Sequence, residues 1–370
     1  MMHLRCSQEH LLRAVQTVGR AISPRASMPI LGNVLVETTK NGAKLAATDL
    51  ELGIEAHVAG TVQEGGAVTL PARILTDIVT NLPPSPVDFI VVEGESKAAI
   101  TSENVRFEIL GLPATDFPLM PSGDGNVVVK LDAGLLRTMI RQTSFAVSTD
   151  ETRPFLTGVY LVVDGEQGHL AATDGGRLAV RRAKLSGGAR GKITAIVPSK
   201  TMAELVRVLG SVEDEVSVAA HDNQLIFTLP GMRFVSRLIA GQFPNYEQVI
   251  PKEYKQRITV GTERLLRGVR RASITARDSA NVVRLNAAEG TLTITSNTPD
   301  VGKAQEDIEV RVEGDPIPVA FNAKFLMDAL SNIDAPDVHF DLTGPLSPGA
   351  LHPTDSAEYV YVLAPVRVYS

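Results

Sequence analysis
The sequence predicts an α+β chain built from three homologous units, each with two helices and outer antiparallel sheets, and three observations carry that prediction. A helical segment containing Leu-Leu-Arg recurs at Leu11, Leu135 and Leu265. The stretch AATD at residues 46–49 returns at residues 171–174, so that Thr48 and Asp49 correspond to Thr173 and Asp174. A second amphipathic segment follows in each third of the chain, and the first two thirds close on DFPLMP and QFPNYEQVIP. A chain of 370 residues is too long for one compact core. The units are expected at 1–122, 127–250 and 255–370.

Taken in order, residues 9–22 place Leu11, Val15, Val18 and Ile22 on one helical face, with Arg13, Thr17 and Arg20 on another. The corresponding segment of the second unit has Leu135, Leu136, Met139 and Ile140 apolar, with Arg137 and Arg141 polar; the third begins at Glu263. Alternating runs come next: ILGNVLVET, then FLTGVYLVVD, then VVRLNAA, each leading through a turn to another strand. Those strands enter the AATD sites and, in the third unit, LTITSNTPD. The second helices are PARILTDIVTNL, PSKTMAELVRVLG and NAKFLMDALSNI, followed by further strands such as VDFIVVE and DVHFDLT. AATD therefore reads as a strand end entering a turn, where the Asp side chain bonds its own backbone.

Chemistry is sparse. GGARGKI near Gly187 fails as a phosphate loop, because Ser186 stands where a glycine is needed and Ile193 where Ser or Thr should bind magnesium. There is no GxGxxG, HExxH, GxSxG or paired CxxC, and the seven histidines form no ligand pair at helical spacing. His10 and His169 read as surface or strand-end residues. Cys6, the single cysteine, excludes an internal disulfide and reads as a small strand residue. No enzymatic activity, cofactor or metal is expected. No run of eighteen apolar residues and no signal-peptide core are found, so the expectation is a cytoplasmic chain with no membrane partner.

The charge is unevenly placed. The net charge is −6, yet the six helical segments hold thirteen Lys and Arg against six acids. Arg264, Arg267 and Arg271 line one side of their helix without compensating acids, which points to a polyanion-facing surface. A unit of about 123 residues approximates a sphere ~35 Å across. Three in a closed ring leave a hole about 5 Å wide, and six leave about 35 Å. Only the second admits a B-form duplex, roughly 20 Å wide. Two chains head to tail would supply six units, with the acidic sheets outside.

LLRAVQTVGRAI, MPILGNVLVE, ATDLELGIEA, LPARILTDIV, TDGGRLAV, VPSKTMAEL, GQFPNYEQVIP and the ending YVLAPVRV occur in the same order as in the bacterial DNA polymerase III beta subunit family, the beta sliding clamps. The chain resembles that family along essentially its whole length. The resemblance implies a head-to-tail homodimeric ring that encircles double-stranded DNA without reading its sequence. It also implies a tether for the replicative DNA polymerase, loaded by a clamp loader and shared with other polymerases and repair proteins through short linear motifs.

By that resemblance Arg25, Arg73 and Lys200 correspond to DNA contacts; the helical cations Arg137, Arg141, Arg207, Arg264, Arg267 and Arg271 join them from the charge pattern. The loop at residues 148–155 matches a DNA-touching loop in which relatives place His, Gln and paired Tyr. Here Asp150 would repel phosphate, although Arg153 remains. The family's partner pocket corresponds to Leu156, Thr173, Gly175, Arg177, Leu178, Pro244, Val249, Asn322, Phe325, Leu346, Val362, Pro365, Val366 and Arg367. Gly176, Gln248 and Ala364 replace a His, an Arg and a Met of some relatives, implying a wider cleft with its own motif preference, and Tyr369-Ser370 extends past the usual end. For ring closure, the resemblance sets Phe107 and Ile109 against Ile274 of a partner. Two rival readings remain: a three-domain peptide-binding adaptor that does not encircle DNA, and an enzyme whose nucleus would be Asp174 with Arg177.

Overall fold
A computed structural model of the chain describes residues 2–23, 28–92, 96–121, 126–210, 214–276, 281–299 and 301–367. Contacts group the chain into two compact units: Met1–Ala133 with Ser211–Leu238, and Gly134–Gly210 with Ile239–Ser370. The middle third is thereby divided, because Met232–Arg237 hydrogen-bonds to Leu52–Glu64 and continues the first unit's sheet. Backbone pairing, invisible in a periodicity, decides that division.

Six α-helices lie among the described residues: α1 (Gln8–Val18), α2 (Ala72–Asn81), α3 (Ala133–Thr143), α4 (Ser199–Leu209), α5 (Thr262–Ala272) and α6 (Ala323–Leu330). In α1 the buried residues are Leu11, Ala14, Val15 and Val18, the face expected from the spacing. The first segment, expected to continue helically to residue 22, tightens instead into a short 3-10 turn at Gly19–Ala21, and α3 likewise passes into one at Ser144–Ala146. On α5 the buried set includes Gly268, where a Cβ would lie 2.7 Å from Ile308 Cδ1. Glycine lets that helix sit close on the strand Gly302–Glu309. Asn322 starts α6, its side chain accepting from the N–H groups of Lys324 and Phe325.

The first unit holds a 12-stranded antiparallel sheet. It runs from the edge strand Val105–Leu110 through Met2–Ser7 and Leu52–Glu64 to Asn126–Asp132. The second unit holds a 9-stranded sheet from Ile193–Pro198 to Arg311–Gly314 and a 4-stranded sheet whose edge is Gly302–Glu309. The repeat survives in register. Gly53 faces Val235 across one ladder, and Leu178, its counterpart after the second AATD, faces Val362 across the other. Cys6 is buried in Met2–Ser7, and burial pushes its thiol up to about 12, so it is an inert strand residue. No helix among the described residues is long and apolar enough to cross a membrane.

Candidate functional site
Both AATD copies fold into the same turn. Asp174 Oδ1 accepts from the N–H groups of Gly176 (2.8 Å) and Arg177 (3.0 Å), and Thr173 Oγ1 accepts from Gly175 N–H (3.1 Å). Asp49 Oδ1 likewise accepts from Glu51 and Leu52. The third turn position needs a left-handed backbone: Gly175 has φ +94° without strain, whereas Leu50 sits there at φ +77°. The repeated Asp is thus a turn builder.

Arg177 fixes that turn to α6. Its Nε lies 2.9 Å from Asp174 Oδ2, its Nη1 2.7 Å from Asp328 Oδ2, and its Nη2 donates to Phe145 O at 2.8 Å. The guanidinium lies 4.3 Å from the Phe325 ring centroid, and the side chain is 9% exposed. Burial alone would lower its pKa, but the Asp328 bond, with Tyr361 and Asp174, drives it above the ordinary value. The residues proposed as an enzymatic nucleus are therefore occupied by structure: both Asp174 oxygens and all three guanidinium nitrogens are engaged.

Around the turn lies an apolar cavity of about 250 Å³. Of the residues expected in a pocket, Leu156, Thr173, Gly175, Arg177, Leu178, Pro244, Val249 and Val362 line it. Gly176 and Ala364, expected at the cleft as replacements for bulkier residues, line it as well; Asn245, Tyr246 and Pro348 were absent from the expected set. Tyr246 had a sequence signal, since it follows the repeated Phe-Pro by two positions. Burial raises its hydroxyl pKa well above the usual value, so this wall stays neutral. Its ring meets Phe243 edge-on at 6.1 Å, and His169 does the same on another side. The half-buried His169, expected at the surface or a strand end, lies in the strand Gln167–Thr173 and supports the cavity wall.

The other expected pocket residues lie beside the cavity lining. Phe325 Cε2 would be 3.6 Å from a Cβ on Gly176, and Asn322 is committed to capping α6. Val366 N–H donates to Ala320 O and Ala364 N–H to Gly176 O, tying the C-terminal strand end to both sides. Pro365 is half-buried and Arg367 exposed. Leu346 (62% exposed) and Val249 (52%) leave apolar side chains in solvent. Tyr369 and Ser370 lie outside the described residues.

The basic helices need a correction. The arginines of α5 do have acidic partners: Arg264 pairs with Glu309 (3.9 Å), Arg267 with Glu263, and Arg271 Nε with Glu306 (2.7 Å). Glu306 and Glu309 belong to the strand packed under α5, which a count confined to the helix cannot see. These are exposed pairs with little net stabilisation, so the cations remain available to a stronger anion. Arg141 pairs with Asp334 and Arg207 with Glu204; Arg73, Arg137 and Lys200 are exposed. Arg153 departs furthest from expectation. Its Nε lies 2.9 Å from Asp150 Oδ2, and its Nη1 lies beside Gly175, at the rim of the cavity. Thr152 and Arg153 hold the Asp150 carboxyl below its usual range. Arg25 lies outside the described residues.

One sheet edge and one turn carry exposed apolar side chains. On Val105–Leu110, Phe107 is 37% and Leu110 75% exposed, whereas Ile109 is already buried in its own unit. Ile274, in the 3-10 turn after α5, is 59% exposed.

Family models describing the N-terminal, central and C-terminal domains of the DNA polymerase III beta subunit match residues 2–121, 130–245 and 247–367. The beta sliding clamp of a Synechocystis species is 34% identical, over 99% of this chain and all of that one. The beta sliding clamp of Staphylococcus aureus is 31% identical over the full length of both. Among solved structures, the DNA polymerase sliding clamp of Bacillus subtilis superposes with a TM-score of 0.95 at 31% identity, covering both chains fully. A Pseudomonas aeruginosa sliding clamp bound to griselimycin gives 0.94 at 31% identity, over 99% of this chain and all of that one.

Proposed function
The chain belongs to the DNA polymerase III beta subunit family, the beta sliding clamps, and from that premise we propose how its own residues act as a clamp. It is a DNA sliding clamp that holds replication proteins on duplex DNA, built from three clamp domains with boundaries near 122–127 and 250–255. The adaptor reading, without encirclement, is set aside.

Two copies close head to tail. The free edge Val105–Leu110 of one chain adds to the free edge Gly302–Glu309 of the other. Closure covers Phe107, Leu110 and Ile274, which a lone chain leaves in water. Arg25, Arg73, Arg137, Arg141, Arg153, Lys200, Arg207, Arg264, Arg267 and Arg271 offer phosphate contacts that carry no base information. Most of those placed in the structure are exposed, and the acid-paired ones exchange weak carboxylate contacts for phosphate.

Partners dock in the cavity at the Thr173–Leu178 turn, and that cavity is the single observation carrying the partner reading. An extended peptide places an apolar anchor against Leu156, Leu178 and Val362, while its backbone runs past Gly175. The polymerase, the clamp loader and repair proteins would compete for it.

The test is removal of Ala364 through Ser370, which takes away one wall and the bonds to Gly176 and Ala320. The shortened chain is expected to dimerise normally by sedimentation, yet to lose calorimetric binding of a synthetic peptide with Leu and Phe anchors. Removing only Tyr369 and Ser370 should leave binding intact. Wild-type affinity in the longer deletion would place the docking site elsewhere.

A further inference from the structure
The repeat builds the docking cleft twice. In the first unit Leu50 N–H donates to Thr48 Oγ1, as Gly175 N–H does to Thr173 Oγ1. Below the turn, Leu31, Ala46 and Phe117 pack into one cluster, and Leu156, Ala171 and Phe243 pack into its counterpart. The ladder partner Val235 stands where Val362 stands in the second copy. Floor, turn and register are therefore shared.

One exchange of volume separates the copies. Gly53 occupies the position of Leu178, leaving space above the floor, and Met120 fills it. A Cβ on Gly53 would collide with Met120 Cε. Met120 itself stands at the position of Tyr246, two residues past the repeated Phe-Pro. The first cleft keeps only about 70 Å³, against about 250 Å³ in the second. Its mouth nonetheless remains apolar, with Leu119 fully exposed and Leu50 46% exposed. Glu51, exposed, replaces Gly176 at the rim.

We propose that this first copy is a latent docking pocket, held shut by Met120, for an extended peptide with an apolar anchor and an adjacent Lys or Arg. The proposal rests on the reading of the second copy as the peptide site. The anchor takes the space of the Met120 side chain, an unbranched thioether that changes rotamer readily. The peptide's cation meets Glu51, which sets its preference apart from that of the glycine-rimmed second cleft.

The experiment titrates the full-length protein by calorimetry with a synthetic peptide carrying Leu and Phe anchors and a neighbouring Lys. Wild-type protein is expected to take up one equivalent per chain at moderate peptide concentration, and Met120→Ala two. The added site should weaken when Lys is replaced by Glu in the peptide. Gly53→Leu combined with Met120→Gly, which restores the leucine of the second copy, is expected to give two equivalents as well. In wild-type protein labelled at its methionine methyls, excess peptide should shift the Met120 resonance after the second cleft has saturated. One equivalent in every folded variant, with an unmoved Met120 methyl, overturns the proposal. Failure of the underlying reading looks different, because wild-type protein would then bind no peptide at all.

Discussion

Replacing Arg177 by Met keeps the length and apolar stem of the side chain while deleting its charge. The structure sets the cost. Three hydrogen bonds of 2.7 to 2.9 Å disappear from a site where the side chain is 9% exposed. Each bond to a buried charge contributes about 1.5–3 kcal/mol, and orphaning partners adds to the loss. Asp174 and Asp328 are 21% and 30% exposed, so water recovers part of that loss, and Met retains some contact with Phe325. A net destabilisation of about 3 kcal/mol follows. Arg177→Lys should lose roughly 2 kcal/mol, since one ammonium cannot reach all three acceptors. The same change frees the Gly175–Gly176 rim from α6, so peptide affinity should fall about tenfold, or ~1.4 kcal/mol. Urea unfolding measures the first number and calorimetric peptide titration the second. Stability within about 0.5 kcal/mol of wild type, together with unchanged affinity, would refute the view that Arg177 holds the rim.

Ring closure makes Ile274→Asp decisive. Covering Phe107, Leu110 and Ile274 contributes about 4 kcal/mol given their partial exposure, and a carboxylate placed there removes its share and adds a desolvation cost. The dimer should weaken at least ~100-fold by sedimentation, and a dimer as tight as wild type would take Ile274 out of the interface. A pH effect is expected from Asp341, which pairs with Arg257 at 2.6 and 2.7 Å and with His352 at 3.0 Å. Burial alone would raise its pKa, but Arg257 and His352 outweigh it and hold the carboxyl below its usual value. Its stabilisation is therefore complete above the ordinary Asp pKa of about 3.9 and is lost as pH falls through the lower folded value. Asp341→Asn should cost about 2 kcal/mol at pH 7, and the gap to wild type should narrow in acid melts as pH falls below the ordinary Asp pKa of about 3.9. A gap that stayed constant down to acid unfolding would show that the ion pair is not its source.

Much of the fold was legible because its signals are local. Helix faces such as Leu11, Val15 and Val18 follow a 3.6-residue period, and the Asx turn at Asp174 needs only its next three residues. The cavity was legible through repetition and family resemblance, and eight of its expected lining residues surround one space. What escaped was long-range. Glu306 meets Arg271 across thirty-five residues, and Asp328 meets Arg177 across a hundred and fifty-one. Ile109 alternates like an edge residue, yet it packs inward within its own sheet. The contrast between Gly53 and Leu178 was visible in the aligned repeats, but only coordinates show Met120 in the vacated volume. Arg153 was placed by its loop, whereas a three-residue ion pair with Asp150 turns it to the Gly175 rim.

The central claim is encirclement, and retention on circular DNA tests it most directly. Labelled protein loaded onto a nicked circle by a clamp loader should stay with the DNA through gel filtration in high salt, because a closed ring is held by topology rather than by phosphate contacts. Cutting the circle once should release it within minutes. The same protein should bind a short linear duplex weakly, with an affinity that falls steeply as salt rises. Ile274→Asp should fail to persist even on the intact circle. Protein that dissociates from closed circles in high salt as fast as from linear DNA, while remaining a dimer, would contradict the account.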